Sequence, residues 1–249
     1  MKYLASLALV FLASCLHPNA GGEQKLNISN RVLTSAAKIS LEDYTGREIL
    51  GTVFPVYAEE VKGNLYINYF VTAAHVVRDA TPKKIEFYSR PENNWEISRT
   101  VTLTLTKVKT VYIDASADFA VVKARSSVYI PFIEISKNPP KFMEEVVSVG
   151  CPFGEPLMIT EGKVIRQSLF KGLWLITAPA VPGNSGGPVI SLRTGKVVGI
   201  TSRVYVINNG FSSSYVGHMH EIVPSNIFRD TVVNTISEDL SVSNDWRRR

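Results

Sequence analysis

A serine, a histidine and an aspartate stand in three local settings that together suit acyl transfer. Ser185 lies in Gly183-Asn184-Ser185-Gly186-Gly187-Pro188. A serine nucleophile needs its hydroxyl exposed on a tight turn, with backbone N–H groups aimed at the oxygen of the tetrahedral intermediate. Glycines permit that turn, so the stretch Gly183, Asn184 and Ser185 is read as an oxyanion hole, with the Gly183 and Ser185 N–H groups turned toward the pocket. His75 follows an apolar strand and two small residues in Val71-Thr72-Ala73-Ala74-His75-Val76-Val77. An imidazole held there can take the serine proton and return it to the leaving amine. Asp118 opens the apolar run Phe119-Ala120-Val121-Val122. A carboxylate entering such a strand needs a partner, and the imidazole N–H is the one that would fix the useful tautomer. Taken singly, each has a plainer reading: a glycine-rich hairpin, a strand-end histidine, a turn acid. Asp114, four residues earlier, competes with Asp118 for the acid role.

The elements that must position these residues are short and β-rich. Strands are expected over 49–57, 65–72, 84–88, 97–112 and 119–123, and after a connector with Pro131, Pro139 and Pro140 over 145–150, 157–167, 173–177, 188–192, 196–207 and 214–219. Two series of about six strands predict an all-β chain of two six-stranded antiparallel β-barrels. Barrel one is placed at about 46–124 and barrel two at about 140–223. Pro224-Ser225-Asn226 then opens a run whose Ile227, Phe228, Val232 and Ile236 share one face, predicting a short closing helix over about 224–236, with a polar tail over 237–249.

The order His, Asp, Ser, with the strings TAAHVV, DFAVVK and GNSGGPV, resembles the chymotrypsin-like serine proteases. Within that class the stretch Ser148-Val149-Gly150-Cys151-Pro152-Phe153-Gly154 is similar to a motif of the bacterial high-temperature-requirement (Htr/Deg) proteases, as are Thr160-Glu161-Gly162-Lys163-Val164 and Val223-Pro224-Ser225-Asn226. The resemblance implies a serine endopeptidase working through an acyl-enzyme on polypeptide substrates, without metal or organic cofactor. It favours Asp118 over Asp114. It also implies that Ser202 supports the aspartate and pairs with substrate backbone. An esterase of the α/β-hydrolase type would show the order Ser, Asp, His, which is not the order here. A catalytically silent, peptide-binding protease fold is the alternative.

Two departures matter. Digestive relatives carry an aspartate before the nucleophile that pairs with a newly cut N-terminus, and here the residue is Asn184, so the oxyanion turn must be held by other contacts. No stretch for the PDZ domain usual in the Htr/Deg family is expected after the helix. The resemblance places the base of the substrate pocket at 177–182 and its walls at 202–205 and 215–222. Pro179, Ala180, Val181 and Pro182 offer no acid to an incoming Lys or Arg, so small or medium apolar side chains are expected before the scissile bond, with Ser202 and Arg203 lining the wall. His218 and His220 leave open a preference for Glu or Gln.

The N-terminus reads as an export signal: Lys2, then an apolar run from Leu4 to Leu12 too short for a permanent membrane span. Leu12-Ala13-Ser14-Cys15 resembles a lipoprotein lipobox, which makes 1–15 a signal ending at a lipidated Cys15 and 16–45 a tether to a domain over 46–236. The alternative is an ordinary signal peptide with Cys15 incidental and the protein secreted. Either way the chain is expected in the cell envelope or outside the cytosol, with Cys151 as its one remaining cysteine and no internal disulfide. With 45% hydrophobic and 20% charged residues the 249-residue chain can bury a core. The net charge of +5 is scattered except for Arg247, Arg248 and Arg249, so no nucleic-acid footprint is read from it. Oligomerisation finds no support in the sequence.

Overall fold

The computed structural model describes residues 36–88, 100–169, 172–208 and 213–245. The signal segment, Cys15, most of the tether and the terminal arginines lie outside the described residues. Seven strands form the N-terminal half: β1 (Ala37–Asp43), β2 (Glu48–Lys62), β3 (Leu65–Thr72), β4 (Ala80–Tyr88), β5 (Val101–Thr106), β6 (Lys109–Asp114) and β7 (Phe119–Ser126), with the one-turn helix α1 (Ala74–Val77) between β3 and β4. The C-terminal half holds β8 (Glu145–Gly150), β9 (Met158–Gln167), β10 (Trp174–Ile176), β11 (Pro188–Ser191), β12 (Val197–Asn208), β13 (Ser213–Pro224) and helix α2 (Ser225–Asp245).

The expected pair of barrels is met in one half. The C-terminal strands close in the order β10-β13-β12-β11-β8-β9. The N-terminal strands form a seven-stranded sheet in the order β5-β4-β1-β2-β3-β7-β6, not a closed six-stranded ring. Two local features explain the count. The expected single strand over 97–112 is broken at Lys107, whose φ of 58° turns the chain between β5 and β6. The last part of the expected tether is a strand: β1 pairs with both β2 and β4, and its alternating Ala37, Ile39 and Leu41 are buried.

Alternation along the strands explains where the cores sit. In β7, Ala120, Val122 and Ala124 face a cluster with Val53, Phe70, Ile85 and Leu105 inside the N-terminal sheet. Phe119 and Val121 point to the other face, into a cluster that includes Val147, Ile190 and Ile200 of the closed barrel. Helix α2 completes that shared core with Phe228, Val232 and Ile236, spaced by four and each worth about 2 kcal/mol of burial. It runs to Asp245, past the expected stop at 236, because the polar tail also has partners. Asp239 accepts from the Tyr69 hydroxyl at 2.6 Å and pairs with Lys123 Nζ at 2.6 Å, and Leu240 packs on the shared core.

Candidate active site

Helix α1 begins where β3 ends, which sets His75 on a rigid corner. Its backbone N–H, one of the amides a first helical turn leaves unpaired, donates to Asp118 Oδ1 at 3.0 Å. The ring Nδ1 lies 3.0 Å from each carboxylate oxygen. A carboxylate only accepts, so Nδ1 carries a proton, and in the neutral ring Nε2 keeps its lone pair. Asp118 has a φ of 57°, a left-handed conformation that Asp tolerates better than most residues, and this kink lies just before β7. Ser202 Oγ donates to Asp118 Oδ2 at 2.5 Å. Burial acts to raise the Asp118 pKa, but the hydrogen bonds from His75 and Ser202 and the His75 charge outweigh it and hold the carboxyl below its usual range. Asp114, the competing acid, is consumed in its own turn, accepting from the Ser116 N–H and hydroxyl and from the Ala117 N–H.

Ser185 is brought to the same corner from the other half of the molecule. Its carbonyl accepts from the Thr52 N–H of β2 at 2.9 Å. Gly186, with φ +86°, lies so close to β3 that a Cβ there would stand 2.1 Å from Thr72 Oγ1 and 2.8 Å from the Ala73 N. The nucleophile turn therefore rests on the residues that lead directly into His75.

The carbonyls of that turn are pinned one after another. Pro182 C=O accepts from Phe153 N–H at 2.7 Å, Gly183 C=O from the Thr52 hydroxyl at 2.8 Å, and Asn184 C=O from Gly187 N–H at 2.9 Å. The peptides of this turn are all trans, so each pinned carbonyl sends the next N–H the opposite way. Among the described residues the N–H groups of Gly183 and Ser185 have no protein acceptor. The Asn184 N–H donates to Val181 C=O at 3.1 Å, so of the three residues expected to form a hole only Gly183 and Ser185 keep an unengaged N–H. The Asn184 side chain is buried, and its Oδ1 has no partner. Cys151, whose N–H binds Thr52 Oγ1 at 2.9 Å, is fully buried, and burial pushes its thiol up to about 12, which leaves it inert as a nucleophile.

Around the expected pocket base, Thr177 and Pro179 are exposed, Val181 is half-buried, and Ala178 and Ala180 are buried. Thr160 Oγ1 holds the Pro179 carbonyl at 2.9 Å. Arg203 and His218 are exposed. His220 departs from its expected place on the substrate face: it is 0% exposed. Its Nδ1 donates to Ala178 C=O at 2.7 Å, which leaves Nε2 to accept from Thr201 Oγ1 at 3.3 Å, and Thr201 in turn meets Ser148 Oγ at 3.3 Å. His220 thus braces Ala178, in the segment where the pocket base is expected. Its alternation with the exposed His218 along β13 was the available signal. Thr52 and Phe153, which hold the turn, carry no sequence signal because a strand threonine and a loop phenylalanine are common.

Burial lowers the His220 pKa from 6.5 to about 4, a shift its bond to Ala178 only partly offsets. The unfolded chain therefore binds the extra proton between those two values, and stability is lost as pH falls through them, by roughly 3 kcal/mol. The urea midpoint of the wild type is expected to fall between pH 7 and pH 4, and His220→Gln to flatten that fall. Equal pH slopes for the two proteins would contradict the assignment.

Comparison with known proteins agrees with this fold. Residues 51–200 match the trypsin-like peptidase domain, and the chain belongs to that family. Its curated relatives include DegP-like serine endoproteases. A probable periplasmic serine endoprotease, DegP-like, of Pseudomonas fluorescens is 29% identical over 185 residues, covering 72% of this chain and 34% of the relative. The Hahella chejuensis counterpart is 29% identical, covering 72% and 35%. The chain thus spans about a third of the length of the curated relatives it matches. Among solved structures, the serine endoprotease from Yersinia pestis superposes with a TM-score of 0.61 at 19% identity, covering 85% of this chain and 66% of that one. The HtrA-type protease AlgW with tripeptide gives 0.63 at 19% identity, covering 86% and 64%.

Proposed function

We propose that this chain is a serine endopeptidase of the periplasm, with Ser185 as nucleophile, His75 as general base and acid, Asp118 as the orienting carboxylate, and the Gly183 and Ser185 N–H groups as the oxyanion hole. The observation that carries the reading is a turn with two unengaged N–H groups packed on Thr72 and Ala73, the residues that lead into His75, whose Nδ1 is held by an ionised Asp118. Nε2 takes the Ser185 proton as Oγ attacks the scissile carbonyl, the two N–H groups take the developing negative charge, and the imidazolium returns the proton to the leaving amine. Water then repeats the sequence on the acyl-enzyme. The donating orientation of both N–H groups favours this over a silent binding module, in which the turn would be collapsed.

Ser202 supports Asp118 and borders the substrate, while the acid-free segment from Pro179 to Pro182 accepts small or medium apolar side chains. The engagement of both His220 nitrogens speaks against its reading Glu or Gln, and the exposed His218 stays open to that role. The export signal and the names of the relatives support a periplasmic site, and Cys15 would tether the domain to a membrane by a lipid. Among the described residues no helix is long and apolar enough to cross a membrane.

The test is a peptide-library digest run with and without a fluorophosphonate, with the adduct located by mass spectrometry. Cleavage after Ala, Val or Leu, abolished by the reagent and accompanied by an adduct on Ser185, is expected. A folded protein that neither cleaves nor labels would sink the reading, and a profile dominated by Glu would overturn the pocket assignment.

A further inference from the structure

The oxyanion turn lacks the ion pair that an aspartate before the nucleophile would supply, yet its peptides are all held. The holding converges on one side chain. Thr52 is 0% exposed and lies on β2, in the half of the molecule opposite the nucleophile. Its hydroxyl donates to Gly183 C=O at 2.8 Å and accepts the Cys151 N–H at 2.9 Å. Its own N–H donates to Ser185 C=O at 2.9 Å, and its C=O accepts from Thr72 Oγ1 at 2.8 Å. Every polar group it owns is used, and two of the four bonds end directly on the nucleophile turn.

The hydroxyl acts on the turn by two routes. The direct one fixes the peptide between Gly183 and Asn184, which lies between the two donating N–H groups. The indirect one runs through Cys151: a bound N–H there seats the short 3₁₀ turn Pro152–Gly154, where Phe153, at φ 51°, gives its own N–H to Pro182 C=O at 2.7 Å. That bond sends the Gly183 N–H toward the pocket. Gly183, with φ +98°, fits so tightly under this turn that a Cβ would stand 2.3 Å from Cys151 O and 2.6 Å from Phe153 N. A rotation of either peptide would break the bond that its carbonyl now accepts from Phe153 or Thr52.

We propose that Thr52 is the positioning residue of the oxyanion hole, its hydroxyl doing from the N-terminal sheet what an ion pair to the residue before the nucleophile does elsewhere. This rests on the proposed function, whose hole it sets, and it predicts that the hole is made when the two halves dock and needs no cut N-terminus.

The experiment compares Thr52→Val, which keeps shape and loses both hydroxyl bonds, with Thr52→Ser, which keeps them. Thr52→Val is expected to lower kcat and the rate of fluorophosphonate labelling together by about 10- to 100-fold with KM little changed, less than or similar to the loss of a direct donor. Thr52→Ser is expected to recover both to within about threefold, since its hydroxyl can make the same bonds. Amide NMR shifts of Gly183 and Ser185 should move in Thr52→Val and not in Thr52→Ser, whether or not the protein has activity. Thr52→Ala serves the same comparison if the valine variant does not fold. A folded Thr52→Val that labels at the wild-type rate with unmoved amides overturns the inference. Moved amides in a protein whose wild type never labels would instead overturn the peptidase reading and leave the positioning role standing.

Discussion

Ser185→Ala is expected to lower kcat by about 10⁶, and adding His75→Ala to it is expected to lower kcat no further. The two side chains form one device. The imidazole is useful only as acceptor of the Ser185 proton, so once the hydroxyl is gone the base has nothing to activate. Residual hydrolysis would come from substrate held against the Gly183 and Ser185 N–H groups, which both variants keep, and should stand about 10³-fold above the reaction in water. Single-turnover assays on an apolar peptide, with circular dichroism to confirm the fold, measure this. Additive losses in the double variant would show that Ser185 and His75 act separately and would dismantle the triad assignment.

Asp118→Asn should lower kcat/KM by about 10⁴ at neutral pH while leaving the fold in place. The size follows from which atom donates. Asp118 now accepts the Nδ1–H of His75, the His75 backbone N–H and the Ser202 hydroxyl. An amide has only one accepting oxygen, and its NH₂ facing Nδ1 would stabilise the other tautomer, with the proton on Nε2 where the serine proton must go. Because the carboxyl is held below its usual range, it stays ionised through neutral pH, and its contribution fades only as pH falls through that depressed value. The wild type should therefore keep the Asp118 contribution down into the acid range. A loss smaller than about tenfold would mean that the carboxylate is a structural partner of helix α1 rather than part of the reaction.

The sequence was legible where periodicity and chemistry coincide. β3 and β8 were expected with their observed bounds, and β7 with its observed start, because their apolar runs have no competing reading. The lysine, serine and glutamate of β1 hid a strand whose apolar residues alternate, with Ser40 buried among them. The break at Lys107 was invisible because no glycine or proline marks it. Helix α2 outran its apolar face because Asp239 finds Tyr69 and Lys123, partners more than a hundred residues away. At the site, residue types with strong chemistry announced themselves, whereas the role of Thr52 depends on where strands from two halves meet. His220 shows the reverse: its chemistry suggested a substrate contact, and burial makes it a brace.

The shared core has a consequence for the life of the chain before it is finished. His75 and Asp118 belong to the N-terminal sheet, Ser185 to the closed barrel, and Thr52 reaches from one to the other. Neither half alone contains both the proposed nucleophile and its proposed base. On the proposed function, a chain still folding thus has its blade and its handle on separate pieces, and it becomes dangerous to its neighbours, and to itself, only once assembly is complete.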